Sequence, residues 1–284
     1  GSEMCIRDRC HPAGSRDRQL NGVAAIANTS TDTRTSTRIP RSLAWTALVL
    51  SVLQVLAPVI PFSGFGARPN EATVDLLITP CGYTFSIWSV IYALSIVVCV
   101  ALVAQHQTGL QAGTRIVVDL SIAFAGATTW ILFSAAEWTW ITSIVLTVMT
   151  MVLLDAARLA AGPDDASGHS MIRTLVRVLI GIYAAWATAA VFQNWASDIG
   201  TAGADPTALG WQLTILILGA IVGIVVTGLV GATLPFYPLT LIWALTGIVV
   251  AAWSVTIEVV IACLVAIVLV IAAYLASRNR TALV

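Results

Sequence analysis

Eight stretches of this chain are apolar over about the length needed to cross a bilayer, and this pattern constrains the fold more than any other feature. Their approximate spans are 43–60, 84–105, 116–135, 139–157, 172–194, 211–232, 237–253 and 256–276. Only 10% of the 284 residues are charged and 58% are hydrophobic, whereas a soluble domain carries about a quarter charged residues. Backbone polar groups inside a bilayer must be paired within the protein, and an apolar stretch of about 20 residues has the length to span the bilayer as a helix that pairs its own backbone. The sequence therefore predicts an all-α fold, a polytopic membrane bundle of about eight transmembrane helices.

The arginines indicate the orientation of this bundle. With eight spans and an inside N-terminus, the inside segments and adjoining helix ends hold Arg34, Arg38, Arg41, Arg115, Arg158, Arg173, Arg177, Arg278 and Arg280. The outside loops hold only Arg68. Because arginine accumulates on the cytoplasmic side of membrane proteins, this count predicts that both termini are cytoplasmic.

The first 40 residues are polar and lack hydrophobic periodicity, so we interpret them as a disordered tail. Residues 1–9 resemble translated sequencing-adapter read-through, which would place the native start further along the chain. The net charge of the chain is zero and there is no basic patch, so nucleic acid is not an expected partner. The five cysteines form no Cys-x-x-Cys pair or Cys/His cluster and predict neither a disulfide framework nor a metal site.

The acidic residues are expected to lie at the surface or in ion pairs. The predicted outer loops hold Glu71, Asp75, Glu137, Asp198, Asp205 and Glu258. We interpret these as solvated loop residues, in preference to the alternative of cation capture. Asp155 lies within an apolar stretch, where an ionisable group is a functional candidate. Arg158 shares its helical face and would neutralise it. Arg115 and Asp119, four residues apart, would form an ion pair of the same kind.

The stretch from Thr79 to Tyr92 opens the second apolar segment after Pro80 and Gly82. Phe85, Trp88 and Tyr92 follow at spacings of three and four and therefore share one helical face. Such a stripe could line a pocket for a flat, apolar ligand, or it could pack against neighbouring helices and anchor the membrane interface.

A second stripe consists of small residues four positions apart in the sixth segment, namely Gly219, Gly223, Thr227 and Gly231. Small residues at this spacing let helices approach closely. The close packing could lie within the chain or across a homodimer.

Three segments together resemble the TspO/translocator-protein family, also called tryptophan-rich sensory proteins. Pro80, Trp88 and Tyr92 fall in register with the family's second helix, although Gly82 replaces its loop tryptophan. Tyr183, Trp186 and Asn194 match the spacing of its last helix. Residues 129–133, with Trp130 and Phe133, resemble its third helix without the usual asparagine and proline.

This resemblance implies a five-helix core over 41–196 and, as in the longer bacterial relatives, an extension of three helices over 197–284. It also implies a pocket for a tetrapyrrole, such as protoporphyrin or haem, or for a sterol-like lipid. The candidate ligand-binding residues are Pro80, Tyr83, Phe85, Trp88, Tyr92, Trp130, Phe133, Tyr183, Trp186 and Asn194. Gln193 is a further polar candidate, and Asn194 could instead bond a neighbouring backbone. His11, His106 and His169 lie outside the apolar segments, so we expect a tetrapyrrole to bind without ligation of its metal, and no cofactor to be required.

By resemblance, the protein would bind and then transport or sense such a molecule in the bacterial cytoplasmic membrane. Its partners would be the bilayer, the hydrophobic ligand and, if the small-residue stripe acts between copies, a second chain. The alternatives are a secondary carrier of another solute, an enzyme that degrades porphyrin, and a structural helix bundle. We expect no enzymatic activity, since the sequence contains no Ser-His-Asp set, phosphate loop or nucleotide-binding motif.

Overall fold

The structure is a computed structural model that describes residues 38–64, 66, 74–165 and 170–281. Within these residues the chain is helical and forms no strand, which confirms the all-α class. The helices in chain order are α1 Arg41–Leu56, α2 Val59–Phe62, α3 Ile87–Gln105, α4 Gly113–Ala135, α5 Thr139–Ala160, α6 Ser170–Thr201, α7 Leu209–Val230, α8 Phe236–Ala252 and α9 Ile257–Thr281. A 3₁₀ segment, Gly82–Ser86, leads directly into α3.

Seven spans among the described residues are long and apolar enough to cross a membrane. Two of them combine elements: α1 and α2 form one span, Arg41–Phe62, and the 3₁₀ segment extends α3 into the span Gly82–Gln105. Helix α8 is apolar and has 17 residues. Each of the eight apolar stretches thus corresponds to a helix, which confirms a polytopic membrane bundle.

The largest difference between the predicted and observed helix ends is in α6. The fifth apolar stretch was predicted to end at 194, but α6 continues to Thr201. Asp198, predicted to lie in a solvated outer loop, is in the last turn of α6 and is only 3% exposed. That prediction is wrong because Ser143 donates a hydrogen bond to the carboxylate and lets it enter the bundle. The other acidic loop residues that the structure describes are exposed, as predicted: Asp75, Glu137, Asp205 and Glu258.

Residues 1–37, which hold most of the predicted tail and the adapter-like segment, lie outside the described residues, as do Arg68, Glu71 and His169. The described chain begins just before α1. Ile39 is buried, and its N–H donates to the carbonyl oxygen of His106 at 2.8 Å. The last residues assigned to the tail therefore pack at the end of α3.

Five helices form a closed ring. Helix α1 packs against α3 and α4, α3 packs against α6, α6 packs against α5, and α5 packs against α4. The approach of α5 to α4 requires a glycine, since a Cβ at Gly126 would lie 2.4 Å from Cγ of Met149. The family resemblance implied a five-helix core over 41–196, whereas the helices of this ring extend from Arg41 to Thr201.

The last three helices form a second group on one side of the ring. Helices α7 and α8 pack against α6, and α9 packs against both α7 and α8. The small-residue stripe of α7 makes its contacts within the chain: a Cβ at Gly219 would lie 3.1 Å from the Phe192 ring of α6, and a Cβ at Gly223 would lie 2.8 Å from Leu241 of α8. Of the two readings of the stripe, the described contacts support packing within the chain.

An ion-pair network closes the end of the ring opposite the 3₁₀ segment. Arg158 Nη2 lies 2.8 Å from Asp155 Oδ1, as predicted from their shared face. Arg115 of α4 links α4 to α5, because it lies 3.1 Å from Asp119 on α4 and 3.3 Å from Asp155 on α5. Asp155 is therefore neutralised by two arginines.

Candidate functional site

The segment that begins the predicted site is held in place by α8. The Cys81 N–H donates to the carbonyl oxygen of Gly247 at 3.1 Å, and Trp243 Nε1–H donates to the carbonyl oxygen of Thr84 at 3.0 Å. The Thr84 side chain lies directly on Gly247, where an added Cβ would come within 2.1 Å of Thr84 Oγ1. A helix of the C-terminal group therefore determines the position of the 3₁₀ segment.

Trp88 is the centre of an aromatic cluster that joins three helices of the ring. Its ring stacks at 22° on Trp130 of α4, with centroids 6.1 Å apart. It meets Trp186 and Tyr183 of α6 edge to face, at 6.3 and 6.0 Å. Phe85 lies edge to face against Trp186 at 5.8 Å. These are the offset and T-shaped arrangements that aromatic pairs prefer.

The cluster lines a cavity of about 550 Å³ between α3, α4, α5 and α6. Ala244 and Ile248 of α8 also contribute to its wall. Glu137 and Trp138, in the turn between α4 and α5, are exposed and line it as well, so the cavity opens at this end of the ring. Its volume lies within the range of about 300–1,000 Å³ that is usual for small-molecule sites.

Six of the ten candidate ligand-binding residues line this cavity: Pro80, Phe85, Trp88, Trp130, Trp186 and Asn194. Gln193 lines it too. Tyr83 does not, because it is 47% exposed and packs edge to face on Trp243 at 5.3 Å. Tyr92 also lies outside the lining and packs against Trp88, with centroids 5.6 Å apart.

Phe133 and Tyr183 are the other candidates outside the lining. Phe133 stacks on Trp138 at 5.2 Å and so supports a residue of the cavity rim. Tyr183 is completely buried, and its hydroxyl donates to Gln54 Oε1 of α1 at 3.2 Å. Tyr183 therefore packs behind Trp88 and connects α6 to α1, outside the cavity.

A chain of hydrogen bonds forms the polar part of the cavity wall. Trp130 Nε1–H donates to Asn194 Oδ1 at 3.3 Å. The Asn194 amide nitrogen donates to Thr142 Oγ1 and Ser143 Oγ, each at 3.1 Å, and Ser143 in turn donates to Asp198. Asn194 thus bonds side chains of α4 and α5, and no bond to a neighbouring backbone is formed by its amide among the described residues.

Sequence reasoning missed Asp198 as a member of this wall, and it missed Ser143, which is buried behind the lining residues and bonded to them. A signal for Asp198 was present, because it follows Asn194 by four residues and therefore lies on the same face of α6. Its assignment to a loop concealed this relation. Ser143 carried no comparable signal, since one serine in an apolar stretch does not show which helix it faces.

A second, smaller cavity of about 60 Å³ lies between α6 and the three C-terminal helices. Its wall includes Gly219 and Gly223 of the small-residue stripe. Four residues line both cavities, namely Ala189, Gln193, Ala244 and Ile248. These side chains separate the aromatic cavity from the interface between the ring and the C-terminal group.

The part of the chain that the structure describes holds no group of three or more His, Cys, Asp or Glu side chains that could bind a metal ion. His106 follows the last residue of α3, at the opposite end of that helix from the cavity. The chemistry available to the site is aromatic stacking together with hydrogen bonding from the Asn194 network.

Fold and site together define an integral membrane protein, a polytopic helix bundle with an aromatic cavity of small-molecule size between four helices of the ring and α8. The chain belongs to the TSPO-like protein family, since the family model described as TSPO-like protein matches residues 41–276. The match extends from α1 into α9 and includes the C-terminal group. Membership indicates a membrane protein that binds or transports small molecules. Searches of curated proteins and of solved structures found no match for this chain.

Proposed function

We propose that this protein binds a flat, hydrophobic small molecule in the aromatic cavity, as the first step of its transport or sensing. The observation that carries the proposal is the convergence of Trp88, Trp130 and Trp186 from three different helices on one cavity of about 550 Å³. Three indole rings offer stacking and edge-to-face contacts to a planar ligand, each contributing about 0.5–1.5 kcal/mol beyond area burial.

The polar contacts of the cavity support an occupant that also carries hydrogen-bonding groups. Trp186 is 3% exposed and lines the cavity, yet its indole N–H has no hydrogen-bond partner among the described residues. A buried donor without an acceptor costs about 1–3 kcal/mol. The indole nitrogen itself has almost no exposed surface, so an acceptor atom of a ligand would remove this cost only if the Trp186 ring turned toward the cavity.

A tetrapyrrole, protoporphyrin or haem, is the ligand that the family resemblance suggests. The test is titration of protoporphyrin IX with the detergent-purified full chain, followed by the porphyrin's own fluorescence so that loss of a tryptophan does not alter the signal. Trp88→Phe and Trp186→Phe should each weaken binding by about three- to tenfold, the loss expected from one reduced aromatic contact. Trp253→Phe is the matched control, because Trp253 is exposed between α8 and α9 and does not line the cavity.

The outcomes separate the parts of this proposal. Saturable binding that is weakened by both cavity variants and unchanged by the control would support it. Saturable binding insensitive to both would place the porphyrin elsewhere. If protoporphyrin does not bind while another planar probe does so through Trp88 and Trp186, the tetrapyrrole is the wrong ligand class and the cavity proposal stands.

We propose further that the site is a binding site and that no cofactor is required for the fold. Incubation with protoporphyrin IX, in light and in darkness, should then return the porphyrin with its absorption spectrum unchanged after extraction. Turnover by the unmodified protein that Trp88→Phe abolishes would refute this and would identify a porphyrin-degrading enzyme.

The protein is further proposed to reside in a bacterial cytoplasmic membrane with both termini cytoplasmic. The arginines at the Arg158 end of the ring support this orientation. Fusion of a reporter that is active only in the cytoplasm to the C-terminus should give an active reporter. Activity of a periplasmic reporter at the same position would reverse the orientation.

A further inference from the structure

The acidic residues of the aromatic cavity bear on which ligands it accepts. Among the described lining residues, Glu137 and Asp198 carry a formal charge, and both are acidic. Glu137 is exposed at the rim, whereas Asp198 is buried within the wall. The electrostatic field of the cavity is therefore set by carboxylates.

Asp198 has little within the protein to compensate its charge. Its carboxylate accepts one hydrogen bond, from the Ser143 hydroxyl to Oδ2, while its other oxygen has no partner among the described residues. No arginine in the described part of the chain forms an ion pair with it, in contrast to Asp155, which has two. A buried carboxylate is costly unless it is paired.

The position of Asp198 in α6 increases this cost. It lies in the last turn of the helix, which ends at Thr201. Because the carbonyl end of a helix carries partial negative charge, a carboxylate is disfavoured there and a cation is favoured. No backbone N–H of the described residues donates to its carboxylate, so the start of the neighbouring α5 provides a hydroxyl but no amide.

From this arrangement we infer that the cavity selects ligands that carry a protonated amine or a comparable cationic group, and that Asp198 is the residue that recognises it. The aromatic rings hold the planar part of the ligand, and the carboxylate, oriented by Ser143, accepts the ammonium group. The stacked indoles add to this preference, since cations are attracted to aromatic faces. The inference rests on the proposed function, because it assigns the ligand class of the same cavity. It also predicts that protoporphyrin IX, whose two propionates are anionic at neutral pH, binds more weakly than a planar cation of similar size.

Three probes that share one ring system isolate the charge. These are 9-(aminomethyl)anthracene, which is cationic at neutral pH, the neutral 9-anthracenemethanol, and 9-anthracenecarboxylate. Each is titrated with the full chain in a neutral detergent, and anthracene fluorescence is followed. The cation should bind at least about tenfold more tightly than the anion, since a hydrogen bond to a charged group contributes about a factor of ten or more.

Two substitutions and a matched control test the role of Asp198. Asp198→Asn keeps the size of the side chain and should weaken cation binding by about tenfold while leaving the neutral probe unchanged. Ser143→Ala should reduce the preference for the cation by a smaller factor, because the carboxylate stays but loses its orienting bond. Asp205→Asn removes one carboxylate charge from the exposed loop after α6 and should leave the affinities for all three probes unchanged.

The results distinguish the cation preference from the binding function of the cavity. Equal affinities for the three probes, with binding lost on Trp88→Phe, would overturn the cation preference and leave the cavity function standing. A cation preference that survives Asp198→Asn would also overturn it, since the charge would then act from elsewhere. Absence of saturable binding by every anthracene probe would overturn this inference, and the cavity function would be refuted with it only if protoporphyrin IX also failed to bind. Should Asp198→Asn fail to fold, unchanged cation preference in Ser143→Ala would count against the inference.

Discussion

Substitution of Gly247 by alanine tests whether the C-terminal group positions the opening of the cavity. A Cβ at this position would lie 2.1 Å from Thr84 Oγ1, 2.9 Å from Cγ2 and 3.0 Å from Cβ of the same threonine. Rotation of the threonine side chain exchanges one short contact for another, so the 3₁₀ segment itself must move. Such overpacking costs about 1–3 kcal/mol.

This cost is opposed by the higher helix propensity of alanine. Replacing glycine inside a helix contributes roughly 0.5–1 kcal/mol of stability. Gly247→Ala should therefore destabilise the protein by about 1 kcal/mol, within a range of about 0–2.5 kcal/mol. Gly228→Ala is the control, because this α7 glycine has nothing within 4 Å of an added Cβ and should show only the helix gain.

The two variants are compared by unfolding in mixed micelles with increasing denaturing detergent, followed by far-ultraviolet circular dichroism. Thr84→Ala removes Oγ1 and Cγ2, the two atoms nearest to the added Cβ. The double variant Gly247→Ala/Thr84→Ala should therefore recover about 1 kcal/mol of the lost stability as a coupling energy. If Gly247→Ala behaves like Gly228→Ala, the contact does not constrain the segment and our account of the opening is wrong.

Two further predictions concern groups outside the cavity. Tyr183→Phe should cost about 1–3 kcal/mol in the same unfolding assay, because the buried Gln54 side chain loses the hydrogen bond from the Tyr183 hydroxyl. Ligand affinity should stay within about twofold, because the contacts of the cavity-lining residues are unchanged. The pKa of Asp205 is held below its ordinary value by hydrogen bonds from the hydroxyl and then the backbone N–H of Thr207. The resulting stabilisation is present above the unfolded pKa of about 3.9 and is lost as the pH falls through the lowered folded value. Thr207→Ala should raise the Asp205 pKa in an NMR titration of carboxyl-labelled aspartate, and an unmoved pKa would contradict the assignment.

The apolar stretches predicted the helices well because a bilayer fixes the length of a span and allows no unpaired backbone. The end of α6 was harder to predict. Residues 194–198 include an asparagine and an aspartate, which in sequence look like the start of a loop. They remain helical because Thr142 and Ser143 of another helix meet their polar groups, and this pairing depends on tertiary structure.

The aromatic residues also show that the sequence predicts a shared helical face but not which side chains line the cavity. Spacing placed Phe85, Trp88 and Tyr92 on one face, and the structure brings the first two to the cavity. Tyr92 and Tyr183 lie next to Trp88 but outside the lining. A helical period shows which residues share a face, whereas the depth of each ring depends on how the neighbouring helices are rotated.

The placement of α8 gives the C-terminal group a part in the same site. Its Ala244 and Ile248 belong to the walls of both cavities, while its Trp243 and Gly247 hold the 3₁₀ segment through Thr84. A five-helix ring alone would lack this wall and these contacts. Since the family match also continues into α9, the three last helices are best understood as part of the structure that forms the aromatic cavity, with α8 as the element that contacts its opening.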